Sequence, residues 1–238
     1  MIQFYAPEIV ETEILPEGES LHCSRVLRMR EGDEIVVTDG RGSRYLCEII
    51  KSHSSKTQVK IKQKEFFQPE RPYKLILAVA PTKNSERMEW MIEKAVEIGV
   101  DKIVLLKCER SERKVQKIER LEKIIISAMK QSLSVYKPEL TEMLDFRKFI
   151  KENIPEIQKF FGYCSENYPK KSFVKECRKE TDTVVMIGPE GDFTEEEVKL
   201  AVENGYIPVT FGEKRLRTET AGVFAVTAVN VINQLSKD

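Results

Sequence analysis

Ile187-Gly188-Pro189-Glu190-Gly191-Asp192-Phe193 and Phe211-Gly212-Glu213-Lys214-Arg215-Leu216-Arg217-Thr218-Glu219-Thr220-Ala221 are the two stretches that decide how this chain folds. Each follows an apolar run of buried-strand character, 183–187 and 206–211, and each leads into a helix start. Strands that end in glycine-rich backbone ahead of a helix are where α/β sheets build ligand sites. Two such turns predict one pocket lined from two sides. Gly188 and Gly191 are expected to allow close approach or a positive φ.

Outward from these turns, strands and helices alternate. Residues 74–80 and 101–107 predict strands, and 160–163 a further one. Helices are expected over 85–98, with Met88, Met91, Ile92, Ala95 and Val96 on one face and Gly99 as the stop, and over 115–133 and 144–152. Trp90, on the first of these, is expected in the core with Met88 and Met91. Thr194-Glu195-Glu196-Glu197 matches a capping box, so the next helix starts at Thr194 and stops at Gly205. A βαβ series of this kind predicts a mainly parallel sheet. Residues before 70 differ in texture: short β-rich runs at 34–38, 45–51 and 57–62 are separated by turn signals, which suggests a small barrel or sandwich. Gln68-Pro69-Glu70-Arg71-Pro72 is a stiff polar connector. The expected domains are therefore 1–70 and 73–238.

Bulk properties set limits on partners. The 238 residues carry 39 basic and 39 acidic side chains and no net charge, so any nucleic-acid contact must come from local patches. Residues 21–64 hold such a patch, with ten basic residues against five acidic. Five cysteines without a CxxC pair, and only His22 and His53 beside them, give no zinc set, so no metal is expected. Scattered thiols suit a reducing cytoplasm. The start shows no basic segment before an apolar one, and the longest uncharged run, 221–236, falls about one turn short of a membrane span. A soluble cytoplasmic protein without a membrane partner is expected.

Common signatures are missing: no GxxxxGK[ST], no GxGxxG after a strand, no GxSxG. Both histidines lie far from the glycine turns in sequence, which argues against histidine-driven catalysis there. What remains is a pocket of main chain with Glu190, Arg217, Glu219, Thr218 and Thr220 near it. Backbone hydrogen bonding of that kind suits an adenine edge or a sulfonium cofactor.

The order Ile187–Thr194, then 211–222 into a final apolar helix, resembles the knotted (SPOUT) RNA methyltransferases, and among them the RsmE type. Upstream segments agree: 22–28 with Gly32-Asp33, then 83–89, 93–100 and Lys130-Gln131-Ser132. The resemblance covers nearly the whole chain. It departs at Asp192, where the family usually has glycine, and at Arg215, where it has an apolar residue. The resemblance implies an N-terminal PUA-like β-barrel that binds RNA, a C-terminal α/β domain with a trefoil knot holding S-adenosylmethionine, and a homodimer through the C-terminal domain. The implied activity is methylation of N3 of a uridine in small-subunit (16S) ribosomal RNA. Rival readings are a relative acting on another RNA atom, such as a ribose 2′-hydroxyl, and a non-catalytic RNA-binding ribosome-assembly factor.

Carried onto these positions, the cofactor is expected at Ile187, Gly188, Pro189, Gly191, Phe211, Gly212, Leu216, Thr218, Thr220 and Ala221. Catalytic roles fall to Arg217, which would steady negative charge on the uracil carbonyls, and to Glu190 as a base. For each there is a plain alternative: Arg217 bracing its loop through Glu219 or Glu190, Glu190 capping backbone amides, and Thr218 and Thr220 capping a helix. RNA contacts are expected at Arg25, Arg28 and Lys83. The uncharged helix 221–235 is expected to be buried between two copies.

Overall fold

The computed structural model describes residues 2–69, 71–152 and 157–235. The chain divides into two compact units: 1–70 with 126–137, and 71–125 with 138–238. The first unit thus takes in 126–137, a stretch that a division at the 68–72 connector leaves in the second.

The first unit is a four-stranded sheet in the order β1 (Gln3–Tyr5), β2 (Glu34–Thr38), β3 (Ser43–Lys51), β4 (Gln58–Phe66). β1 pairs parallel with β2; the other pairs are antiparallel. Tyr45, Cys47 and Ile49 alternate inward on β3 and pack with Phe4, Ile9, Leu15, Val37 and Val59. Helices α1 (Ile9–Thr12) and α2 (Glu17–Leu21) lead into a single π-helical turn, His22–Val26. Buried Cys23 anchors this turn, while Arg25, Val26 and Arg28 stay exposed. The polar ends of 126–137 are held within this unit: Arg44 donates to the Leu133 carbonyl, and Lys130 pairs with Glu19 at 2.7 Å.

The second unit is built on seven parallel strands in the order β7-β6-β5-β10-β8-β11-β9. Its strands and helices in chain order are β5 (Leu75–Val79), α3 (Ser85–Ile98), β6 (Lys102–Lys107), α4 (Ile118–Gln131), β7 (Glu139–Asp145), α5 (Phe146–Lys151), β8 (Gln158–Gly162), β9 (Lys171–Ser172), α6 (Phe173–Glu176), β10 (Thr183–Ile187), α7 (Glu195–Glu203), β11 (Ile207–Thr210) and α8 (Thr218–Gln234); the last residues of α4 belong to the first unit. Because β10 is flanked on both sides, every one of its residues is buried, and its sequence is a continuous apolar run. Alternate residues sort the two faces. Ala78, Ala80, Val184 and Met186 pack with Phe146, Phe149, Val198 and Ala201 from α5 and α7. On the opposite face α8 packs against β5 and β10, and against α3.

Three sequence expectations need correction. β7 falls where no strand was expected, and α5 starts only at Phe146, capped by the Asp145 side chain. Its sequence, ELTEMLD, mixes acids with apolar residues because β7 is an edge strand. The last helix begins at Thr218, not at Ala221. Met88 and Met91 are buried as expected, but Trp90 is 46% exposed.

Helix α3 lies against α8 through Gly222. A Cβ there would sit 2.5 Å from Met91 Sδ, itself fully buried. Gly222→Val should therefore overpack this contact and cost about 1–3 kcal/mol. Urea unfolding should show a lower midpoint with an unchanged m-value; an unchanged midpoint would show that the α3–α8 seam can open to take a side chain.

Candidate active site

A cavity of about 910 Å³ opens where β8, β10 and β11 end, lined only by residues of the second unit. That volume lies within the usual range for small-molecule sites, roughly 300–1,000 Å³. Three segments wall it: 162–166, 187–192 and 209–219.

The two glycine turns are tied together by one side chain. Thr218 Oγ1 donates to the Gly188 carbonyl at 3.2 Å, and Thr218 is buried. Thr218 is thus the clasp between the turns; the cap residue of α8 is Arg217, whose side chain makes no capping bond. In the first turn the Asp192 amide donates to the Pro189 carbonyl at 2.9 Å, and the residue at positive φ is Asp192 (60°), not Gly188 or Gly191. Asp is among the few side chains that tolerate this region. Gly188 is required for a different reason: a Cβ would lie 3.1–3.3 Å from the Phe193 ring. In the second turn Gly212 has φ 131°, and Thr210 Oγ1 donates to its carbonyl at 2.7 Å.

The third wall has no counterpart among the expected site residues. Tyr163, Cys164, Ser165, Glu166 and Lys170 line the cavity. The Lys170 ammonium uses all three of its hydrogens on this segment, at 3.1 Å to the Cys164 carbonyl, 3.0 Å to the Ser165 carbonyl and 2.7 Å to Glu166 Oε1. From the other side, Asp192 Oδ2 accepts from the Cys164 amide at 3.1 Å, while Oδ1 accepts from the Phe193 amide at 2.9 Å. Residue 164 is therefore gripped at both its amide and its carbonyl. The available signal was a third strand end, 158–162, followed by small polar residues.

Ile187, Gly188, Pro189, Phe211, Gly212, Leu216, Thr218 and Ala221 all line the cavity, as do Glu190 and Arg217. Gly191 and Thr220 do not. Gly191 faces Arg110, whose guanidinium donates to its carbonyl at 2.9 Å. Thr220, one residue into α8 past the cavity wall, is exposed and lines a neighbouring depression with Trp90.

The charged groups divide sharply. Glu190 is exposed, and its Oε1 accepts from the Lys83 amide at 2.9 Å, joining the 188–192 turn to the segment after β5. Glu219 is only 8% exposed and faces Arg87 Nε at 3.6 Å. Lys83 pairs with Glu112 at 2.8 Å, which raises the ammonium above its ordinary pKa. Arg217 is exposed on the cavity wall, its guanidinium without a hydrogen bond or ion pair to another described residue; the bracing partners Glu190 and Glu219 are taken by Lys83 and Arg87. Arg25 and Arg28 stand exposed in the first unit, Arg28 at φ 55°. Among the described residues no group of His, Cys, Asp and Glu could hold a metal ion, and no helix is long and apolar enough to cross a membrane.

The chain matches the family model of an RNA methyltransferase domain over residues 69–230 and that of an RNA methyltransferase PUA domain over 15–62. It is 30% identical to ribosomal RNA small subunit methyltransferase E of Synechocystis sp. over 95% of this chain and 76% of that one. Among solved structures, a "probable rRNA-methyltransferase" from Porphyromonas gingivalis superposes with a TM-score of 0.93 at 39% identity, covering all of both chains. Ribosomal RNA small subunit methyltransferase E from Neisseria gonorrhoeae, bound to S-adenosyl methionine, superposes with a TM-score of 0.86 at 28% identity, covering 98% of each.

The thiols allow a direct check of the third wall. Burial pushes Cys23 and Cys177 up to about 11 and Cys47 up to about 12, with Cys108 higher still. Cys164 alone is exposed; burial and then Asp192 raise its pKa, while Arg215 and Lys170 pull it back. A disulfide reagent should titrate one thiol in the native protein, and Cys164→Ser should remove it. Since only the thiolate reacts, its rate should still be climbing as pH passes 9. More than one fast thiol would mean that the core thiols are not shielded as described.

Proposed function

Given that this chain belongs to the RNA methyltransferase family, we propose that it transfers a methyl group from S-adenosylmethionine to N3 of a uridine in small-subunit ribosomal RNA. The observation that carries the proposal is the main-chain cavity joined by Thr218 and Gly188, with one unpaired guanidinium on its wall. Likeness over nearly full length to methyltransferases of small-subunit RNA supports the substrate.

The cavity fits the cofactor on its own evidence. Ile187, Pro189, Val209, Phe211, Leu216 and Ala221 offer apolar surface for a purine and a thioalkyl chain, and the turns around Gly188 and Gly212 offer amides and carbonyls for an adenine edge. When bound, S-adenosylmethionine supplies an electrophilic methyl group on a sulfonium. The chain's own residues then do three things. The turns fix the cofactor, so that acceleration comes mainly from positioning. Arg217 faces the uracil carbonyls and steadies the charge that spreads over O2 and O4 as the N3 proton leaves. Glu190 holds the 188–192 turn through the Lys83 amide, a positioning role. N3 sits within the Watson–Crick edge, so the target uridine is unpaired or flipped out. Arg25 and Arg28 on the PUA-like unit, with Lys83, grip phosphates.

We further propose a trefoil-knotted path, supported by the placement of β10 between β5 and β8 and by the Thr218 clasp across it. A homodimer is proposed through α8, on which Val231 remains 46% exposed. A cytoplasmic site of action accords with an rRNA substrate and five free cysteines.

Arg217→Ala should lower kcat by about 10²–10³-fold while the Kd for S-adenosylmethionine stays within about threefold. Equal loss in both would return Arg217 to a bracing role. Primer extension on small-subunit RNA from cells lacking the protein should lose one reverse-transcription stop, because N3 methylation blocks pairing; a stop that persists overturns the N3 assignment. Asp192→Gly should weaken S-adenosylmethionine about 5- to 30-fold without lowering thermal stability, since glycine suits φ 60° but releases the Cys164 amide. Asp192→Asn, which keeps one acceptor, should restore most of it.

A further inference from the structure

Beside the cofactor cavity, and sharing Arg87, Arg217 and Glu219 with it, lies a shallow depression of about 500 Å³ lined also by Glu86, Trp90 and Thr220. We infer that this depression seats the methyl-accepting nucleotide, with its base stacked on Trp90, its carbonyl edge toward Arg217 and its phosphate against Arg87. The inference rests on the proposed transfer of a methyl group to RNA and adds the acceptor's site to it.

Three observations converge. Trp90 is the only tryptophan in the chain, and it is 46% exposed on a helix whose Met88, Met91 and Ile92 are fully buried. Its ring has no aromatic or cationic partner among the described residues. A flat π face left open beside arginines is the arrangement that holds an unpaired base, and such stacking is worth about tenfold to a hundredfold in affinity. Second, the shared wall sets the geometry: a base in the depression meets the cavity along the edge occupied by Arg217, so its reacting edge faces the cofactor mouth. Third, the charges are arranged for an anion at that edge. Glu219, the buried acid, faces Arg87, and among the described residues no acid is bonded to the Arg217 guanidinium; Glu86 stands at the start of α3, where its amide donates to the Asn84 side chain. A duplex has no unstacked base to offer here, so the site selects a flipped or single-stranded nucleotide.

The single tryptophan makes the test direct. Titration of the native protein with uridine 5′-monophosphate should quench its fluorescence saturably, and a single-stranded oligouridylate should do so at lower concentration. Trp90→Ala should raise the KM for small-subunit RNA at least tenfold with the KM for S-adenosylmethionine within twofold, and Trp90→Phe should recover most of the loss. Absence of quenching by either probe overturns the inference, whether or not Trp90→Ala folds. So does a blue-shifted emission that depends on protein concentration together with dimer loss in Trp90→Ala, since a second copy would then cover the indole. Failure of the parent proposal looks different. If S-adenosylmethionine does not bind, or the methyl is found on another RNA atom, the quenching titration still decides Trp90 on its own.

Discussion

One hydrogen bond, from the Thr218 hydroxyl to the Gly188 carbonyl, sets the distance between the two turns that make the cavity. The turns come from different strands, β10 and β11, which are not neighbours; β8 lies between them. Sheet pairing alone therefore leaves their spacing to the loops. A buried hydroxyl meeting a buried carbonyl removes that freedom, because separating them would leave both unsatisfied at a cost of about 1–3 kcal/mol each. Helix α8 starts at this residue, so the clasp also anchors the helix that packs on α3, β5 and β10. The cavity and the far face of the sheet thus share one fixed point.

The remaining walls are held by the same logic with different atoms. Asp192 occupies a left-handed position that glycine would take without strain, and it uses both carboxylate oxygens on backbone amides, those of Cys164 and Phe193. Lys170 completes the grip on the 164–166 segment through two carbonyls. A turn that presents main chain to a ligand cannot re-aim it as a side chain could, so its precision must come from ties of this kind around it.

Much of the second unit was legible because a buried parallel sheet writes itself as apolar runs. Residues 183–187 lie between two strands and could not be anything else. The capping box at Thr194 and Glu197 was readable for a local reason: both partners lie within four residues. What escaped depended on distant partners. β7 is an edge strand with half-exposed positions, so its pattern is too weak to separate from the helix that follows. The third cavity wall is signalled only by the strand end at 158–162, because Lys170 and Asp192 act on Cys164 from opposite sides through contacts that no spacing encodes. The αL residue of the first turn was assigned to glycine when the fold gives it to Asp192, since glycine permits such a conformation but does not demand it. A large apolar side chain such as Trp90 is expected in the core by its type, yet at 100° per residue it falls nearly opposite the face that buries Met88, Met91, Ile92, Ala95 and Val96.

The strongest pointer to chemistry is a pairing pattern that composition hides. With equal numbers of acids and bases, the chain can neutralise many charges locally, and several cations at or near the cavity are paired: Lys83 with Glu112, Arg87 with Glu219, Lys170 with Glu166. Arg217 is not paired in this way: Glu190 and Glu219, the acids considered as its bracing partners, are bonded to the Lys83 amide and to Arg87. Supplying one of them to Arg217 would have cost nothing in composition. A guanidinium left bare beside a main-chain pocket can meet negative charge only when a substrate brings it, and in transfer to uracil that charge develops as N3 gives up its proton. On the proposed chemistry, a guanidinium held ready for that charge raises turnover instead of ground-state affinity.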